Sequence, residues 1–150
     1  MSSPTLLLVE DNEDDVFLMK RALRAAGITN PLQIAEDGQA AIDYLAGNGT
    51  YADRALYPLP LIVFLDLKLP YKSGHDVLEW IRQQPHFSTL IVIVLTSSNE
   101  SVDLSRAYQL GANSFVVKPP TSVLLQEIAE SFKLWWLTYN HAVVPTAPAA

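Results

Sequence analysis

The chain has 150 residues, 49% of them hydrophobic and 17% charged, with no cysteine and a formal net charge of −6. At this length one domain is expected, burying about two-thirds of its unfolded surface, and the composition is that of a globular chain. The acidic balance speaks against non-specific nucleic-acid binding, the absence of thiols excludes disulfides and thiolate metal sites, and no apolar run approaches the roughly 20 residues of a membrane span.

Residues 5–9 (Thr-Leu-Leu-Leu-Val) predict a first strand, ended by the charged run Glu10 to Asp15. Asp11 or Asn12 is suited to cap the helix that follows, whose apolar spacing runs through Val16, Phe17, Met19, Leu23 and Ala26 to Gly27. Glu13, Asp14 and Asp15 read as its solvated first turn. Residues 31–36 alternate weakly and predict a second strand. A helix begins at Asp37-Gly38 and runs to Gly47. Residues 47–60, with Gly-Asn-Gly, Tyr51, Arg54, Tyr57 and two prolines, read as a long surface loop.

The third strand, Leu61 to Leu65, is apolar throughout and stops at a single carboxylate, Asp66. Helix follows from His75 to Gln84, then a second fully apolar strand from Leu90 to Thr96. Another helix ends at Leu110-Gly111, a short strand spans Ser114 to Lys118, and a last helix starts at Pro120-Thr121. From about His141 the Pro- and Ala-rich residues read as a frayed tail, leaving residues 1–140 as one domain. No basic, apolar leader is visible, so the cytoplasm is the expected location.

Five strands alternating with five helices give the expected α/β architecture, a doubly wound three-layer sandwich around a parallel sheet. In such a sheet the strands' carboxyl ends share one edge, where ligands bind. That edge collects Glu10, Asp11, Asp66, Thr96 and Lys118. Three carboxylates together repel one another unless a cation sits among them, and oxygen donors without His or Cys suit Mg²⁺. With a lysine for phosphate oxygens and a hydroxyl donor, the set fits phosphoryl transfer onto Asp66 as nucleophile.

Four motifs carry a family resemblance. Val9-Glu10-Asp11-Asn12, Phe64-Leu65-Asp66-Leu67-Lys68-Leu69-Pro70, Leu95-Thr96-Ser97-Ser98 and Phe115-Val116-Val117-Lys118-Pro119 resemble, in order, those of receiver domains of two-component response regulators. The resemblance covers residues 5–138 and implies a flavodoxin-like sheet of order 2-1-3-4-5. It implies that Asp66 accepts phosphate from a sensor histidine kinase, and that Glu10, Asp11, Asp66 and the backbone carbonyl of Lys68 hold Mg²⁺. It further implies that Thr96 and Lys118 contact the phosphoryl group and that Phe115 reorients as the switch. More narrowly, the long loop before the third strand and the Trp135-Trp136-Leu137 helix end resemble single-domain regulators serving bacterial phytochromes, which pair through the fourth helix, fifth strand and fifth helix. Glu10 stands where Asp is more frequent, and Lys68 and Ser98 occupy positions that modulate dephosphorylation in the family.

In the final helix, Leu124, Leu125, Ile128, Phe132, Trp135 and Tyr139 form one broad core stripe, while Leu134, Trp136 and Leu137 extend it around the helix. A surplus of this kind marks an interface, so Trp135, Trp136 and Leu137 are candidates for a homodimer contact. Too little chain follows Lys118 for a DNA-reading domain. The competing reading is an aspartate-nucleophile phosphatase, an enzyme rather than a switch. Lys68 weighs against it, standing where that chemistry wants a second acid. A nucleotide-binding domain lacks its phosphate-loop motif.

Overall fold

A computed structural model describes residues 3–146. Its elements in chain order are β1 (Leu6–Val9), α1 (Glu13–Ala25), β2 (Leu32–Ala35), α2 (Gly38–Ala46), β3 (Ile62–Leu65), α3 (Gly74–Gln83), β4 (Ile91–Thr96), α4 (Ser101–Gln109), β5 (Ser114–Val117) and α5 (Ser122–Phe132). All four strand pairings are parallel and the sheet order is β2-β1-β3-β4-β5. This is the flavodoxin-like arrangement expected from the sequence. β1, β3 and β4 are buried along their whole length because helices cover both faces, which is why they read as unbroken apolar runs.

The pleat divides the core. Leu6, Leu8, Ile62, Phe64, Ile93 and Leu95 pack on one face beneath α1 and α5, with Met19, Leu23 and Phe132. Leu7, Val9, Val63, Leu65 and Val92 pack on the other, with Tyr44 and Leu45 of α2 and Val77, Leu78 and Ile81 of α3.

Side-chain caps fix the starts of α1, α2, α3 and α5, whereas α4 has none. Asn12 Oδ1 accepts from Asp15 N–H at 3.0 Å, so Asn12 rather than Asp11 caps α1. Asp37 caps α2, Ser73 and Asp76 form a capping box on α3, and Thr121 caps α5. Two glycines let backbones meet at the future site. A Cβ on Gly74 would lie 2.2 Å from the Asp66 carbonyl oxygen, and one on Gly38 would lie 1.9 Å from that of Lys72. The segment after β3 is thereby clamped between α2 and α3.

Three stretches differ from the sequence expectation. Residues 47–60 stay on the surface but are anchored against α2: Tyr44, Tyr51 and Tyr57 cluster with centroids 5.0–5.9 Å apart, the Tyr57 ring edge-on to the other two. The Arg54 guanidinium donates to the carbonyls of Tyr44 and Leu45 at 2.6 and 2.8 Å, satisfying the orphan carbonyls at the end of α2. After Phe132 the last helix widens into π-helical winding, Lys133–Tyr139, with Asn140 N–H donating to Trp135 C=O five residues back. The wider turn rotates Trp136 and Leu137 inward onto the α1/α5 core. Trp135 and Tyr139, assigned to the core stripe by regular helical spacing, turn outward at 62% and 64% exposure. Finally, Ala142 packs on the same core and Pro145 is buried, so residues 141–146 lie along the body, while 147–150 lie outside the described residues.

Candidate functional site at the carboxyl edge of the sheet

The ends of β1, β3, β4 and β5 bring Glu10, Asp66, Thr96 and Lys118 to one edge, as the parallel sheet requires. Register does much of the positioning. Asp66 N–H donates to Val9 C=O at 3.1 Å and Lys118 N–H to Thr96 C=O at 2.7 Å, extending the ladders one residue past the strands. Glu10 (3% exposed), Asp66 (6%) and Thr96 (0%) are buried, whereas Asp11 is exposed. Buried carboxylates need partners, and one side chain supplies them. Lys118 Nζ donates to Glu10 Oε1, to Asp66 Oδ2 at 3.0 Å and to Asp15 Oδ2 at 3.0 Å.

By sequence pattern alone Asp15 belongs to a solvated helix start. Capping by Asn12 sets the phase of α1 so that Asp15, unlike Glu13 and Asp14, turns toward Lys118. The acidic first turn hid it, since acids there are favoured by the helix dipole whatever else they do.

Glu10, Asp11 and Asp66 each bring a carboxylate oxygen within 4.8 Å of the others, an arrangement able to hold a metal ion. The Lys68 carbonyl accepts no hydrogen bond among the described residues, and its N–H donates to Asp66 Oδ1 at 3.4 Å. Thr96 Oγ1 accepts from Ser98 N–H at 3.4 Å. Ser98 in turn donates to the Asp103 carboxylate on α4. Phe115 packs with Leu67, Val94 and Ala107. Since Val94 and Thr96 are two residues apart on one strand, Phe115 and Thr96 face the same side of the sheet. The Lys118–Pro119 peptide bond is trans. His75 and His86 are half-buried, and neither touches the carboxylate group.

Burial is the main cause that pushes the Glu10 carboxyl up from 4.5 to about 7. The charge of Asp66 adds to it, while hydrogen bonds from Lys118 and the Asn12 N–H pull it down. Burial also opposes the charge on Lys118. The carboxylates of Glu10, Asp15 and Asp66 outweigh that cost, so its ammonium is held above the usual lysine range and stays charged at neutral pH.

The family profile for the response regulator receiver domain matches residues 6–130, five-sixths of the chain. The chain belongs to the response regulator receiver family. The probable methanogenesis regulatory protein FilR2 of Methanothrix harundinacea is 38% identical over 93% of this chain and 88% of its own. Response regulator Rcp1 of Synechocystis sp. is 34% identical over 88% of each chain, and the Mn²⁺-bound form of Rcp1 superposes with a TM-score of 0.84 at 32% identity over 93% of this chain and 99% of its own. The phosphorylated cyanobacterial phytochrome response regulator RcpA superposes with a TM-score of 0.87 at 30% identity over 94% of this receiver and 99% of that chain. This receiver therefore stands close to phytochrome response regulators in both sequence and fold. Among its described residues no helix is long and apolar enough to cross a membrane.

The state of Glu10 has a measurable consequence. Its folded value, about 7, lies above its ordinary 4.5, so the folded receiver binds this proton more tightly than the unfolded chain. The stability from that proton is complete below about pH 4.5 and is lost as pH rises through about 7. Glu10→Gln keeps the shape without ionising. In metal-free urea titrations the variant should gain on wild type by about 3 kcal/mol between pH 4.5 and pH 8, the equivalent of the shift. A difference that stays constant across that range would contradict the assignment.

Proposed function

We propose that this receiver is a phosphorylation switch in which Asp66 takes a phosphoryl group from the phosphohistidine of a sensor histidine kinase. A carboxylate oxygen of Asp66 attacks phosphorus, the N–P bond breaks, and the histidine leaves as neutral imidazole after taking up a proton. The observation that carries this reading is the Lys118 ammonium, 3.0 Å from Asp66 and anchored beside a group of three carboxylates. A fixed positive charge against a buried nucleophilic carboxylate is what an incoming phosphate dianion needs. Thr96, at the end of β4, has a hydroxyl free to turn toward a phosphoryl oxygen, since its present contact is a long one.

Glu10, Asp11, Asp66 and the Lys68 carbonyl fit Mg²⁺, being hard oxygen donors with no nitrogen or sulfur among them. Bound Mg²⁺ would offset the negative charge that gathers as phosphate approaches the carboxylates. Support for a divalent ion comes from Rcp1, which has a Mn²⁺-bound form. Support for a bacterial phytochrome as the kinase comes from RcpA, a cyanobacterial phytochrome response regulator. We take the protein to be a switch that assists its own phosphoryl transfer and loss, working in the cytoplasm, rather than an enzyme with a separate substrate. Phe115, on the same sheet face as Thr96, is the residue we expect to reorient with it.

Output is proposed to be pairing with a second copy. β5 is an edge strand with Val117 exposed, and Val102, Leu104 and Tyr108 of α4 and Leu124 and Trp135 on the α5 side are exposed around it. An apolar groove lined by Ile93, Val116, Leu125, Phe132 and Trp135 opens alongside. Of the three aromatic-end candidates, Trp135 is the one available to a partner, with Trp136 and Leu137 supporting it from beneath.

Intact mass spectrometry after incubation with a small phosphodonor tests the phosphoacceptor reading. Wild type should gain one phosphoryl group with Mg²⁺ present and none without it, and Asp66→Asn should gain none. A wild type that never gains mass would sink it.

For the dimer, sedimentation equilibrium of Trp135→Glu should show at least about tenfold weaker self-association than wild type, the loss of one large buried apolar contact. Unchanged association would remove Trp135 from the interface.

A further inference from the structure

Lys118 has more to hold than one lysine usually does. Its ammonium carries three donors, and all three are spent on carboxylates: Glu10, Asp66 and Asp15. Two of these acceptors, Glu10 and Asp66, belong to the group whose oxygens converge within 4.8 Å, and Asp15 does not. A divalent cation in that group would compete with the lysine for the Glu10 and Asp66 carboxylates and would repel its charge. Yet Lys118 is not a freely solvated lysine. Its side chain is only 18% exposed, and a largely buried ammonium without an anionic partner is costly.

We infer that Asp15 is the carboxylate that holds Lys118 when a divalent cation occupies the Glu10–Asp11–Asp66 group. It is a positioning residue that acts through the lysine, and the inference rests on the proposed reading of that group as a metal and phosphoacceptor site. Asp15 is built for this place. It sits three residues after the Asn12 cap, and its N–H is fixed by Asn12 Oδ1 at 3.0 Å. It is half-buried while Glu13 and Asp14 are exposed. With Leu18, Pro119 and Pro120 it lines a small pocket beside Lys118. Contact there keeps the ammonium near the phosphoryl position while the metal carboxylates are occupied. Without Asp15, the metal must enter against a lysine that has no other acceptor.

The alternative is that Asp15 only adds charge at the start of α1. Isothermal titration calorimetry with Mg²⁺ at fixed ionic strength separates the two, using wild type, Asp15→Asn, Lys118→Ala and the double variant. Asp15→Asn should bind Mg²⁺ about tenfold more weakly than wild type, the worth of one charge-assisted hydrogen bond at a partly exposed site. In the Lys118→Ala background the same change should cost less than about twofold, because the lysine it serves is gone. Asp15→Glu, which keeps the charge, should remain within about threefold of wild type. Equal Mg²⁺ affinity for wild type and Asp15→Asn would overturn the inference. So would an equal loss with and without Lys118, which would leave only the helix-start charge. Failure of wild type itself to bind Mg²⁺ would instead overturn the metal reading beneath it, and the inference with it.

Discussion

One ammonium group, that of Lys118, reaches carboxylates that three separate parts of the chain deliver: the end of β1, the first turn of α1 and the end of β3. Their chain positions are up to 108 residues apart from the lysine, so only the completed sheet can assemble them. Each buried acid would be costly alone, and the lysine alone would be too. Held together they are tolerable but not relaxed: Glu10 is still pushed up to about 7 by burial. Under the proposed function a divalent cation would add positive charge on the carboxylate side, and the Lys118 ammonium beside Asp66 would meet the incoming phosphate.

The scaffold around this centre is stiff where it must be. Gly74 and Gly38 let α3 and α2 press on the backbone that follows β3. Arg54 and the tyrosine cluster brace the far end of α2. On the other side the fold is looser. Ser98 links the loop after β4 to Asp103 of α4, and α4 buries little beyond Ala107. Under the proposed function, movement of Thr96 would be felt first by this weakly packed helix and by the β5 edge, the surfaces that carry the exposed apolar side chains.

Much of this was legible in the sequence because parallel, doubly covered strands leave a plain signal. Leu61 to Leu65 and Leu90 to Leu95 are apolar on both faces, so the first polar residue after each, Asp66 and Thr96, marks a strand end. What escaped reading depended on geometry that spacing does not encode. Asp15 could be separated from Glu13 and Asp14 only once Asn12, not Asp11, was known to start α1. Arg54 lies in a stretch whose Gly and Pro content signals a surface loop, and its role depends on where α2 ends. The last helix misled because π winding changes the period: at 3.6 residues per turn Trp135 belongs inside and Trp136 outside, and the wider turn reverses them.

The central claim is that Asp66, rather than any neighbouring acid, takes the phosphoryl group. Borohydride reduction after exposure to a phosphodonor and Mg²⁺ tests it most directly, because an aspartyl phosphate is reduced to homoserine at the position that carried it. Tandem mass spectrometry of the digested protein should then find homoserine at position 66 and nowhere else. Homoserine at position 11, the reduced alcohol at position 10, or no reduced residue at all would contradict the account.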